Sequence, residues 1–286
     1  MAEGVREYRD RLFCFIFGNE AHKEWTLSLY NAVNGSHYTD PGQITIATLR
    51  QVVYMGMHND VAFLVADEIN LYEQQSTFNP NMPLRLMQYT GNIYEKLITL
   101  QRKNKYGKAL IPLPVPKLVV FYNGAASQPE QTTLRLSDAF PVEKRDEADI
   151  AVRVRMININ RGHSPEVVAA CAPLTEYTWL VDRVRHYEDG VPLERAIDAA
   201  LDEMPKDFMI KPYLDANRVE VKKMLLTEYN EAETLAMFKE EGRTEGEQKL
   251  GILITKLKSL GRIDDAFLAA SDPMYRSKLY REFGMA

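Results

Sequence analysis

The sequence predicts an α/β core followed by a helical region, and three observations carry that expectation. Phe13, Phe17, Ala21, Trp25 and Leu29 recur every four residues, which sets them along one helical stripe. Residues 61–65 (VAFLV), 69–72 (INLY) and 117–122 (KLVVFY) are short apolar or alternating runs bounded by turn signals, as strands are. Beyond about Pro165 the strand signals vanish, and Val181, Val184, Ala196, Ile197 and Leu201 fall into helical spacing.

In chain order, Gly18 and Asn19 interrupt the first stripe, with Asn19 suited to cap a fresh helix and Gly35 to end it. Asp40-Pro41-Gly42 is a turn signal. Residues 51–55 (QVVYM) are a candidate strand, and Ala66-Asp67-Glu68 suits the loop of a hairpin. Asn81, between Pro80 and Pro83, is placed to cap a helix whose buried face would be Leu86, Tyr89, Ile93, Leu97 and Leu100. A proline-spaced linker leads to the strand at 117–122, which stops at Asn123-Gly124, and another strand is expected within 150–159. The glutamate-rich run 240–247 reads as a solvated joint before a last helical piece.

The chain has 286 residues, 45% of them apolar, enough for one sizeable core with a helical appendage. A net charge of −5 excludes general attraction to nucleic acid, so any such surface must be a local patch. Cys14 and Cys171 sit among apolar neighbours and read as buried thiols of a reducing compartment. No apolar run is long enough for a transmembrane helix, and the charged start lacks a signal peptide's apolar stretch, so a cytoplasmic location is expected. Absence of HExxH, GxSxG and CxxC argues against zinc and serine hydrolases.

The hairpin carries the chemistry. Asp60 begins its first strand, while Glu73 and Gln75 end the second, so all three meet at one end. Neighbouring carboxylates repel unless something neutralises them, and a divalent cation such as Mg²⁺ (or Mn²⁺) takes carboxylate oxygens plus waters. With Gln75 orienting water, such a site suits hydrolysis of a phosphodiester. The bland reading is two solvated carboxylates beside a hairpin.

Asn59-Asp60, Glu73-Gln74-Gln75-Ser76-Thr77 and Asn79-Pro80-Asn81-Met82-Pro83-Leu84-Arg85 together resemble the signature of recombination-promoting nucleases and putative transposases, within the PD-(D/E)xK nucleases. Family-like blocks also occur at 29–33, 121–124, 134–140 and 181–184, in the right order. The resemblance implies a restriction-endonuclease-like core, a mixed sheet flanked by helices, over residues 10–160. A helical region (161–240) packed on the core and a helical C-terminal tail (241–286) complete the expected organisation. It implies a metal-dependent DNA endonuclease with Asp60 and Glu73 as metal ligands, and with Gln75 at the position of the superfold's lysine. Glu20 and Glu24 are both candidates for a further carboxylate from the first helix. Arg85 and Tyr89, one helical turn apart, are candidates to hold the scissile phosphate. Lys96, Arg102, Lys103, Lys105 and Lys108 form a candidate DNA-contacting patch, against the plainer reading of a solvated helix end.

The chain departs from the family where His58 and Cys14 stand in place of lysines and Gln74 in place of a histidine. Those departures support a rival expectation, a catalytically silent module that binds DNA or a protein partner. His163 and His186 are expected to be surface or core polar residues, and Tyr122 and Asn123 to end a core strand. A homodimer through the C-terminal helices is expected, since double-strand cleavage calls for two active sites.

Overall fold

A computed structural model describes residues 12–46, 60–188 and 190–284. It divides into two compact units, Met1–Glu228 and Tyr229–Ala286. The candidate strand at 51–55 and His58 lie outside the described residues.

The first unit is built on a five-stranded mixed sheet of order β1-β2-β3-β5-β4. Its strands are β1 (Asp60–Val65), β2 (Glu68–Gln75), β3 (Val115–Tyr122), β4 (Gln131–Arg135) and β5 (Arg153–Asn158). β1 and β4 run antiparallel to their neighbours, while β2, β3 and β5 are parallel. Central strands covered on both faces need apolar side chains throughout, and 119–122 (VVFY) and Val154, Met156 and Ile157 provide them.

Helices flank both faces. On one side lie α1 (Leu12–Phe17) and α2 (Lys23–Asn34), where Tyr30 stacks edge-on to Phe63 and Phe13 meets Phe121. The stripe is interrupted at Gly18 and Asn19 as expected, but Asn19 caps a short 3-10 turn (Glu20–His22) ahead of α2, accepting a hydrogen bond from Ala21 N, and Ala21 is exposed rather than part of the buried stripe. Gly35 ends α2 in the left-handed conformation at φ 63°, as its position suggested. The other face carries α3 (Met82–Leu100). Its buried stripe is Leu86, Thr90, Ile93 and Leu97; Tyr89, expected on that stripe, is half-buried, and Leu100, at the last turn, is 55% exposed. Asn81 occupies the cap position without a side-chain bond, and Asn79 accepts from Asn81 N instead.

Helices α4 (Pro165–Ala169), α5 (Ala172–Glu188), α6 (Leu193–Glu203) and α7 (Lys211–Ala216) follow. Val181, Val184, Ala196, Ile197 and Leu201 are buried, as their spacing predicts. Glu176 is buried too, and accepts hydrogen bonds from Met209 N (2.9 Å) and Ile210 N (2.8 Å), which ties the entry of α7 to α5. Cys171 is buried and Cys14 half-buried, and neither is in a disulfide. His163 is half-buried and His186 exposed.

Helix α8 (Arg218–Ser259) contributes to both units. The expected joint at 240–247 lies inside it. Glu, Arg, Gln and Lys are strong helix formers, and their preference outweighs the cost, about 1 kcal/mol each, of Gly242 and Gly246. The second unit packs Leu253 and Leu257 against Ala266 and Ala269 of α9 (Ile263–Ser271) and Leu279 of α10 (Pro273–Glu282). Asp272 caps α10 by accepting from Met274 N and Tyr275 N. Among the described residues no helix is long and apolar enough to cross a membrane.

Candidate functional site

The β1–β2 hairpin turns through Ala66 and Asp67 alone, with Ala66 at φ 50°; Glu68, expected in the loop, already belongs to β2. So tight a connection fixes the pairing, and it sets Asp60 directly opposite Glu73. Residues i and i+2 of a strand share a face, so Glu73 and Gln75 project together. Met82 and Arg85, from the first turn of α3, meet them there.

The contacts are close. An Arg85 guanidinium nitrogen (Nη2) lies 3.0 Å from Glu73 Oε1, with Glu73 only 1% exposed and the Arg85 side chain 34% exposed. Gln75 Nε2 donates to the same carboxylate oxygen at 3.3 Å and to Met82 Sδ at 2.7 Å. Arg85 Nη2 also donates to Tyr89 Oη at 3.3 Å, and the guanidinium lies 5.8 Å from the centre of that ring. A buried carboxylate is costly without a partner, and here a cation and an amide provide for it. The part of Arg85 that reaches solvent remains able to meet an anionic oxygen.

The end of β2 is fixed from its other neighbour. Asn123 N donates to Gln75 O at 3.0 Å, and Gly124 follows so closely that a Cβ there would lie 2.1 Å from Ser76 O. Tyr122 and Asn123 do end a core strand, and both are buried. Burial pushes the Tyr122 phenol above its ordinary range, and its hydroxyl donates to Ala126 O at 2.7 Å.

The opposite face of β2 holds a polar chain that periodicity alone does not reveal. Gln74 Nε2 donates to Asn123 Oδ1 at 2.6 Å, Asn123 Nδ2 to Tyr177 Oη at 3.1 Å, and Arg185 of α5 to the Asn123 carbonyl and to Asn160. The partners lie 49 and 54 residues apart along the chain, so local spacing carries no trace of them. Only Asn123, directly after the apolar run 118–122, stands out in the sequence.

The remaining expected site residues are dispersed. Glu20 pairs with Lys23 at 3.1 Å, and Glu24 accepts from His22 Nδ1 at 3.0 Å. Glu24 lines a 760 Å³ cleft with Arg155 and Gln131, on the α2 side of the sheet rather than beside Glu73. The basic segment follows the far end of α3, roughly 25 Å from Arg85 along the helix at about 1.5 Å per residue. There Arg102, Lys103, Lys105 and Lys108 are exposed and Lys96 half-buried, and Lys105 is drawn back onto Glu95 at 2.6 Å.

Among the described residues no group of three or more His, Cys, Asp or Glu gathers as a metal site, and the Asp60 side chain lies outside that description. No family model, curated protein or solved structure matches the chain.

Proposed function

We propose that the chain is a metal-dependent DNA endonuclease of the PD-(D/E)xK type, akin to recombination-promoting nucleases and transposases. The observation that supports this reading best is the register. Asp60 stands opposite Glu73, Gln75 shares Glu73's face, and Arg85 reaches that carboxylate from the following helix.

The donor chemistry fits a hard divalent cation, since Asp60, Glu73 and the Gln75 amide offer oxygen. Of the two helix candidates, Glu20 has a buried oxygen, Oε1, with no hydrogen-bond partner among the described residues, while Glu24 is taken up by His22. Asp60 and Glu73 would hold the ion. Bound there, Mg²⁺ or Mn²⁺ would supply an activated water and neutralise charge on the phosphate. The chain's own groups do the rest. Arg85 draws a phosphate oxygen to the site, and Tyr89 steadies the guanidinium. Gln75 would position the nucleophilic water through its amide.

One observation favours a second reading. Glu73 already has a cation 3.0 Å away, so its burial does not call for a metal, and a silent module that binds DNA or protein through the same fold is self-consistent. Nicking of supercoiled plasmid separates the two. On the nuclease reading, wild type cuts with Mg²⁺ or Mn²⁺ and stops with EDTA, and Glu73→Ala is inactive while folded. Equal cutting by folded Glu73→Ala and wild type would sink the nuclease assignment.

A further inference from the structure

The face of the sheet turned away from Glu73 carries a cluster of arginines. Register partners on neighbouring strands point the same way, and so do residues i and i+2 within a strand. Arg135 of β4 lies directly opposite Arg153 of β5, and Arg155 is two residues along. Arg155 also pairs in register with Val119, which pairs with Tyr72, so all three arginines belong to the α2 face. Arg135 and Arg153 are exposed and Arg155 half-buried, with exposed Gln131 and Thr133 beside them. Lys117 of β3 shares the face but is held by Glu68 at 3.1 Å.

None of the three arginines has an ion pair with any described residue. Like charges directly opposite one another on a sheet are destabilising. The chain as a whole is acidic, at −5, so the cluster does not follow from a general excess of base. Arg155 also forms part of the wall of the 760 Å³ cleft, whose other polar groups include Ser28, Asn31, His37 and Tyr38. Glu24 and Glu166 lie in that cleft without pairing to it. An unneutralised guanidinium row that runs from the exposed edge strand to the wall of a cleft is complementary to a run of phosphates, each of which takes a bidentate pair of N–H donors.

We infer that Arg135, Arg153 and Arg155 form a second DNA-contacting surface that grips the sugar-phosphate backbone. Its choice of DNA rests on the nuclease reading above. Glu73 and the arginines sit on opposite faces, so the backbone on the arginines is a different stretch of DNA from the one presented to Arg85. The protein would therefore hold DNA independently of cleaving it, and without reading bases.

The test is fluorescence anisotropy of a short labelled DNA duplex with the full chain in EDTA, over a range of salt. Each lost phosphate contact reduces the log–log salt slope by about 0.9, so the triple variant Arg135→Gln, Arg153→Gln, Arg155→Gln should show a slope smaller by about 2.7. The matching triple to lysine keeps the charge and should keep most of the slope, which guards against misfolding as the explanation. An unchanged affinity and slope in the glutamine triple overturns the inference, as does wild-type binding that inorganic polyphosphate or an acidic protein displaces far better than unlabelled duplex. Glu73→Ala should still bind. If it also still cuts plasmid while the glutamine triple loses DNA, the catalytic reading fails and this surface stands; the reverse pattern removes this surface alone.

Discussion

Replacing Arg85 by alanine removes the cation 3.0 Å from a carboxylate that is 1% exposed. At an effective dielectric of about 20 the gross attraction at that distance is about 5 kcal/mol. Breaking a fully buried pair costs about 3–5 kcal/mol, but the Arg85 side chain is 34% exposed and water screens it, which brings the expected loss to about 2 kcal/mol. In a chain of this size that lowers the melting temperature by roughly 4–8 °C. Thermal melts of wild type, Arg85→Ala, Glu73→Gln and the double variant give the coupling directly, with Glu73→Gln expected to absorb most of the Arg85 penalty. If Arg85→Ala costs as much in the Glu73→Gln background as in wild type, the pair is not what steadies this end of the sheet.

Two further outcomes follow from the same geometry. Gly124→Ala places a methyl 2.1 Å from Ser76 O and 2.5 Å from Tyr122 Oη, so it should cost about 3 kcal/mol in a chemical denaturation curve; a loss under about 0.5 kcal/mol would mean the two strand ends are not in contact. Burial pushes the Cys171 thiol up to about 11, so at pH 8 iodoacetamide should modify half-buried Cys14 first, as peptide mass spectrometry can follow, and Cys171 should react only as the protein unfolds or as pH approaches that value; equal rates for the two at pH 8 would contradict the burial.

The hairpin was legible because its pattern is local. Alternating residues, a short loop and two polar side chains at i and i+2 are enough to place Asp60, Glu73 and Gln75 at one end, and the register agrees, although the loop is one residue shorter than expected. β4 was not legible. Its sequence, QTTLR, has one buried residue, Leu134, and pairs only at the sheet's edge, so no alternation marks it. The arginine cluster was missed for the same reason, being spread over β4 and β5, which lie next to each other only in space. Conversely, the basic segment after α3 is conspicuous as a string of letters, yet it follows the helix end remote from Glu73, and Glu95 claims one of its lysines. Glu176 looks like any helical glutamate in sequence; only the arrival of 209–210 against α5 turns it into a cap.

The Ala66–Asp67 connection works as a gauge block for β2. Both chemistries of the sheet are written on that one strand in alternate letters: Glu73 and Gln75 belong to α3, while Tyr72 and Gln74 belong to α2 and α5. A residue added to or taken from the turn would move the reading frame of β1 against β2 by one, turning Asp60 away from Glu73 while every residue stayed present and unaltered. For this hairpin, a change of length at the turn should thus be harsher on the carboxylate pair than most changes of identity near it.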